Sequence, residues 1–399
     1  MIRNNLLFST MPFPTNSFYK LSGRLFLVFA IIMLFSVMVK AQPNLSQPLA
    51  RQWLYQNSET LNFTPAIIAG DIFLPLATGR LVNLRTSDGT IVWRAELGGE
   101  VSAAPLADVR AVYIASEIPT PSSSALVSYA RATGTIRAIG RTSGVTLWMR
   151  TLSAPLRGSL TADDTTLFGA SPDGNVYAFD KTNGAIRWQL QFRLAFNSQP
   201  ALYNSKLYIG SEDGTLLALN QITGAQLWRY RTRGSIRGKA IVAEGMVFFG
   251  SSDGFVYALD ESTGALRWRA RTGAGVQSVA FVGGANETSG GVVAASFDNF
   301  VYFFSSSRGT RLWKRLLAGR IAAQPLVVAR NVLLAPLSGD ACVVLEVGSG
   351  RQVNSLSVGD GNNTAASPAL AESGLILITT RQGLIAFSEA DRSANVSRD

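Results

Sequence analysis

The chain contains no histidine. That removes the commonest general base, the Ser-His-Asp arrangement and the most frequent zinc ligand, and with them most hydrolase mechanisms. It contains a single cysteine, Cys342, so no intramolecular disulfide can form. Cys342 lies in the apolar stretch Ala-Cys-Val-Val-Leu and reads as a small buried core residue. No thiol stands near the start of the chain to accept a lipid, so no lipid anchor is expected. Charge is also scarce, 16% of residues against 47% hydrophobic, which excludes a disordered polymer and leaves ample material for a core.

One long hydrophobic run occurs. Leu25 to Val39 is dominated by large apolar side chains, with Arg3, Lys20 and Arg24 before it and Lys40-Ala41 after it. A basic leader, an apolar stretch and small residues before a cut describe a secretory signal peptide over residues 1–41, cleaved after Ala41. A retained membrane anchor is the alternative, disfavoured because a spanning helix takes about 20 apolar residues. The mature chain is expected to be exported, periplasmic or secreted, with no integral membrane span. The formal charge of +10 falls to +6 when Arg3, Lys20, Arg24 and Lys40 leave with the leader. That moderate excess favours acidic surfaces over nucleic acid, which is not an expected partner.

What the chain has in abundance is repetition. Trp148, Trp188, Trp228 and Trp268 stand 40 residues apart, each four residues after a glycine: Gly144, Gly184, Gly224 and Gly264. A period near 40 is the mark of a propeller or related array, in which one repeat is one sheet. In the copy ending at Trp228, strands are predicted at Gln199 to Tyr203, Lys206 to Gly210, Thr215 to Leu219 and Ala225 to Tyr230. Asp-Gly pairs at Asp173, Asp213 and Asp253 mark the turn between the second and third strands, as turn formers rather than catalytic acids. Ten residues before each fourth-strand glycine lies Gly79, Gly134, Gly174, Gly214, Gly254, Asn299 or Asp340, which sets the alignment of seven units. Asp163-Asp164 reads as a solvated turn.

Units end at Trp93, Trp148, Trp188, Trp228, Trp268, Trp313 and Asn354, and an eighth set of strands follows at Ala366 to Glu389 with no tryptophan after it. Trp53 stands one period before Trp93 with no strands ahead of it. The expected fold is therefore all-β: an eight-bladed propeller of four-stranded antiparallel blades over residues 42–390. The strand holding Trp53 completes the last blade, so no sheet edge stays open at the seam. The seven tryptophans are expected to pack against the next blade, each indole N–H finding a carbonyl. Residues 391–399 are expected to be a disordered tail. The Glu117–Ser128 and Gly283–Gly291 stretches, rich in Gly, Pro and Ser, are expected to be mobile surface insertions.

The repeat text resembles the pyrroloquinoline-quinone-type (PQQ-like) β-propeller repeat, in which D-G-x-x-Y-A-L-D is followed by x-T-G-x-x-x-W. Here that pattern stands as Asp253-Gly254, Tyr257-Ala258-Leu259-Asp260, Thr263-Gly264 and Trp268. WD40 repeats want Gly-His and Trp-Asp pairs, and this chain has neither. The resemblance raises a quinone cofactor, as in quinoprotein dehydrogenases. The alcohol-oxidising members bring adjacent cysteines, a calcium site and long insertions, which this chain lacks, so neither cofactor, metal nor catalytic residues are expected.

Links following the tryptophans are basic: Arg229, Arg231, Arg233, Arg237 and Lys239 after Trp228, Arg269 and Arg271 after Trp268, and Lys314, Arg315 and Arg320 after Trp313. They predict an arc of positive charge on one rim, either solvated edge charge or a docking surface. Arg157 and Arg237 each follow a repeat tryptophan by nine residues. The segment Leu156-Arg157-Gly158 is similar to one in the propeller of the outer-membrane β-barrel assembly machinery, where it helps engage the barrel-forming subunit. That resemblance implies Leu156 and Arg157 as contacts for a protein partner in the cell envelope, and the basic arc adds Arg231, Arg233 and Arg237 as candidates. A non-enzymatic scaffold is the leading expectation, with a quinoprotein oxidoreductase and a polysaccharide- or envelope-binding propeller as alternatives. On export from a bacterial host, the mature protein is expected to begin at Gln42; N-terminal sequencing of the exported fraction checks this, and an intact leader would instead mark an anchor.

Overall fold

A computed structural model describes residues 42–59, 62–118, 132–284 and 290–390. The leader, the tail and most of both expected insertions lie outside the described residues.

Among the described residues all regular structure is strand, arranged as eight antiparallel sheets around a ring. Blade four illustrates the unit: Ala201–Tyr203 innermost, then Lys206–Gly210, Thr215–Asn220 and Gln226–Arg231 outermost. These match the expected strands to within two residues at each end. Blade two departs from the pattern, because its innermost strand is split into Glu100–Val101 and Leu106–Ala107, both pairing with Ala111–Ile118.

Alanine at the middle of the third strand is what lets two large rings meet. Ala178 pairs with Phe168 on one side and Trp188 on the other, and those rings approach to 5.9 Å across it. Tyr208, Ala218 and Trp228 repeat the arrangement at 5.7 Å, as do Phe248, Ala258 and Trp268 at 5.9 Å. Each indole then reaches into the next blade. Trp228 Nε1 donates to Glu261 O at 3.2 Å, Trp148 to Lys181 O at 2.9 Å and Trp313 to Val347 O at 2.7 Å. Three residues beyond each accepting carbonyl lies the repeat glycine, and its Cα sits against the same ring. A Cβ on Gly264 would stand 2.6 Å from Trp228 Cε3, and Gly264 also holds φ at +73°. The glycine is thus required twice, by its backbone and by its neighbour.

In several blades the residue whose carbonyl accepts the indole also carries a side-chain latch back to the preceding blade, although Val347 and Thr86 do not. Lys181 pairs with Asp108 at 2.6 Å and Glu261 with Lys206 at 2.9 Å, while Ser306 donates to Glu244 at 2.6 Å. Asp163 belongs to this set: it accepts from Gln221 of the next blade and from its own turn amides. The solvated-turn expectation holds for Asp164, which is exposed, but not for Asp163.

The seam closes as expected. Leu49–Gln56 runs antiparallel to Gly383–Glu389, with Trp53 opposite Ala386, and Trp53 Nε1 donates to Thr86 O of blade one at 3.0 Å. Asn354 replaces the seventh tryptophan and makes a different joint. Its Nδ2 donates to Leu45 O and Gln47 O at 3.0 and 2.7 Å, and the fully buried Leu45 fills the interface between blades seven and eight. Every neighbouring pair of blades encloses one apolar cluster, including blades eight and one through Leu377, Leu384, Ile72 and Leu74. Cys342 lies in the cluster between blades seven and eight, where burial pushes its thiol up to about 12.

Two positions correct the repeat alignment. Asn299 takes the left-handed conformation at φ +68°, but in blade seven Gly339, not Asp340, does so at +104°. Gly134 is not left-handed either; it sits inside the strand Thr133–Gly140, where a Cβ would meet Ala154 O at 2.3 Å. Burying roughly 200 Å² of indole at about 25 cal/mol per Å² is worth about 5 kcal/mol before entropy is charged against it. Trp228→Ala is accordingly expected to cost about 3–5 kcal/mol, and Gly264→Ala about 1–3 kcal/mol or more. Urea unfolding monitored by far-ultraviolet circular dichroism measures both.

Candidate functional site

Strand direction alternates within a blade, so the turn between the second and third strands and the link to the next blade share one face. The hydrogen bonds bear this out: Thr232 N, in the link after blade four, donates to Gly214 O in that blade's own turn at 2.8 Å. The expected basic arc lies on this face, and the structure sorts its members.

Leu156 is fully buried, with its Cδ1 packed against Gly169. It stands eight residues after its tryptophan, as do Phe196, Ile236, Val276 and Ile321, all of which are buried too. Leu156 is therefore fixed by the repeat and offers no surface to a partner, which corrects the expectation that it makes direct contact. Arg157 is 37% exposed and pairs with Glu117 at 2.6 Å. Arg237 grips Glu212 through both Nε and Nη2, and Asn197 donates to the same carboxylate at 2.9 Å. Arg237 is the first cause holding the Glu212 carboxyl below its ordinary value. Arg231 is 73% exposed and lies 3.5 Å from Asp213. Arg233 donates its backbone N–H to Asp253, while its guanidinium has no partner among the described residues.

Other members serve the fold. Arg315 donates to Gly350 O and Ser349 O of the next blade, toward the opposite face, and so leaves the arc. Arg269 and Lys314 lie over the rings of Phe255 and Phe300 at 5.1 and 4.7 Å.

The least compensated charge gathers between blades three and four. A groove of about 370 Å³ there is lined by Phe192, Arg193, Leu194, Asp213, Arg229 and Arg231. Arg193 and Arg229 are exposed and have no partner among the described residues. Arg193 was not among the expected contacts, although it follows Trp188 by five residues as Arg233 follows Trp228. Leu194 breaks the pattern more sharply. Six residues after their tryptophans the other links carry Gly99, Ala154, Gly234, Ala274 or Gly319, so Leu194 is the one large apolar side chain at that position. Phe192 stands where Thr232 and Thr272 in the next two links close hydrogen bonds onto Gly214 O and Gly254 O. The same position carries the buried Leu97, Leu152 and Leu317 in other links, so what sets this link apart is apolar surface left half exposed and flanked by arginine.

The family model described as outer membrane protein assembly factor BamB matches residues 50–136, 132–238 and 233–399. The chain belongs to the BamB family. Among solved structures, BamB from Moraxella catarrhalis is similar at 15% identity and a TM-score of 0.69, covering 86% of this chain and all of its own. Sqt1 from Saccharomyces cerevisiae reaches 0.71 at 11% identity, covering 88% of this chain and 99% of its own. A europium-containing methanol dehydrogenase reaches 0.66 at 10%, covering 83% and 85%. At such identities each likeness establishes the fold alone. No curated protein sequence matches the chain significantly.

Within this BamB-family face, the Glu212 clasp has a pH signature. Its lowered folded-state value stabilises the protein above the unfolded carboxyl value of 4.5, and that contribution fades as pH falls through the folded value. The arginine is half exposed, so the effect is discounted for screening. Glu212→Gln is expected to cost up to about 1 kcal/mol at neutral pH, and the difference from the parent is expected to shrink progressively as pH falls below 4.5 in urea titrations.

Proposed function

We propose that this BamB-family propeller is an exported, non-enzymatic scaffold that docks an acidic, partly apolar segment of a cell-envelope protein. The observation that carries this reading is the groove between blades three and four, where Arg193, Arg229 and Arg231 flank half-exposed Phe192 and Leu194. Arg193 and Arg229, which have no partner among the described residues, beside apolar surface suit an occupant supplying carboxylates and one or two hydrophobic side chains. Arg233 extends the positive rim, and Arg157 and Arg237 border it as paired charges that rigidify the links. Membership of the BamB family supports a partner in outer-membrane protein assembly.

A quinone-dependent oxidoreductase on the same fold would need a metal-binding donor set. Among the described residues, no three carboxylate, histidine or cysteine side chains group so as to hold a metal ion. No catalytic step is assigned to the chain.

Crosslinking in envelope fractions followed by affinity measurement tests the scaffold. The recovered partner is expected to bind the Arg229→Glu/Arg231→Glu variant at least about tenfold more weakly, with a steep loss of affinity in added salt. Unchanged affinity in a folded variant would show that the groove is not the docking surface.

A further inference from the structure

The segments that enter the innermost strands converge at the mouth of the central channel, on the same face as the basic groove. They line an open depression of about 220 Å³. Its wall is unequal. Blades four to seven contribute the long side chains Gln199, Lys239, Gln277 and Gln324, whereas blades eight, two and three contribute Ser367, Ala104 and Ser159.

The small residues are already occupied with holding the ring. Ser367 Oγ accepts from Gln324 N at 2.9 Å, Thr64 Oγ1 accepts from Ser367 N at 2.8 Å, and Ala104 bridges to Ser159. The long ones are not. Lys239 and the side-chain amides of Gln199, Gln277 and Gln324 are half-buried and have no partner among the described residues. Gly238 brings Lys239 into the channel beside blade six, since a Cβ there would stand 2.0 Å from Gln277 O. Desolvation alone holds the Lys239 amine below its ordinary value, because no anion compensates it. Arg237 is the other charged residue of the lining, and Glu212 neutralises it. No carboxylate lines the depression.

We propose that the channel mouth binds a small hydroxylated carboxylate, of the chemistry of a sugar acid, with Lys239 holding the carboxylate and Gln199, Gln277 and Gln324 holding the hydroxyls. An uncompensated ammonium selects an anion. Amides, which both donate and accept, match hydroxyl groups, which need both. The volume is smaller than the roughly 300–1,000 Å³ of pockets for drug-sized ligands, and Phe63 is the one aromatic ring in the lining. The site is separate from the peripheral groove, so it stands or falls independently of the docking reading.

Titration calorimetry on the exported protein with D-glucuronate, D-glucose and inorganic phosphate tests the proposal. Glucuronate is expected to bind saturably with a Kd of about 1 mM or tighter. Glucose and phosphate are each expected to bind at least about tenfold more weakly, lacking the charge or the hydroxyl pattern. Lys239→Gln is expected to weaken glucuronate at least about tenfold, and Arg233→Gln on the rim to leave it unchanged. Should Lys239→Gln fail to fold, protection of Lys239 from dilute acetic anhydride by glucuronate, read by mass spectrometry, decides the matter in the parent protein. No saturable binding below about 10 mM, equal binding by a folded Lys239→Gln, or no protection each overturns the site. Phosphate binding as tightly as glucuronate overturns the assignment of the amides.

Discussion

The docking of an indole onto a glycine of the next blade is the constraint on which the rest of this ring depends. A single blade has two apolar faces and cannot bury either one alone. The tryptophan at the outer edge fixes how far apart neighbouring blades sit, because its ring fills the space a Cβ would take and its N–H must find a carbonyl. The alanine of the third strand and the aromatic of the second then have their sizes dictated by that ring. Glycine at Gly264 is therefore a packing requirement as much as a turn requirement.

Closure follows from the same contact applied at the seam. Trp53 makes with Thr86 and Gly89 the joint that Trp228 makes with Glu261 and Gly264, so the first strand is held to blade one as firmly as any internal neighbour. Where the tryptophan is missing, at Asn354, the chain entering that first strand supplies Leu45 and two carbonyls instead. The substitution and the N-terminal segment are two halves of one solution, since an asparagine amide can hold backbone that a glycine-docked indole would exclude.

Once the ring is rigid, function is free to sit where the repeat is broken. Phe192 and Leu194 give up the clasp that Thr232 and Thr272 make, and Lys239 stands where Ser159 and Gln199 occupy the corresponding places in blades three and four. Phe192 and Leu194 pack against the cluster between blades three and four yet keep part of their apolar surface exposed, and Lys239 leaves an amine unpaired.

The period, the strand order and the swap of the first strand into the last blade were all legible in the spacing of Trp53, Trp93 and the Asp-Gly turns, because each repeat must supply the same contacts to its neighbour. The register was legible except at Gly134, which sits inside a strand, and at Gly339, where the unit ending at Asn354 is one residue longer than the 40-residue period and the left-handed position falls one residue earlier. The candidate site was legible only as charge. Spacing named Arg157 and Arg237 but not that Glu117 and Glu212 neutralise them, and it offered Leu156 as a contact although its place in the repeat buries it. Sequence by itself determined the number of blades and what joins them, since those depend on contacts repeated at a fixed interval. Only the tertiary structure decided which arginines remain free and which side chains meet at the channel mouth. Those pairings join residues from different blades, whose separation along the chain carries no periodic signal.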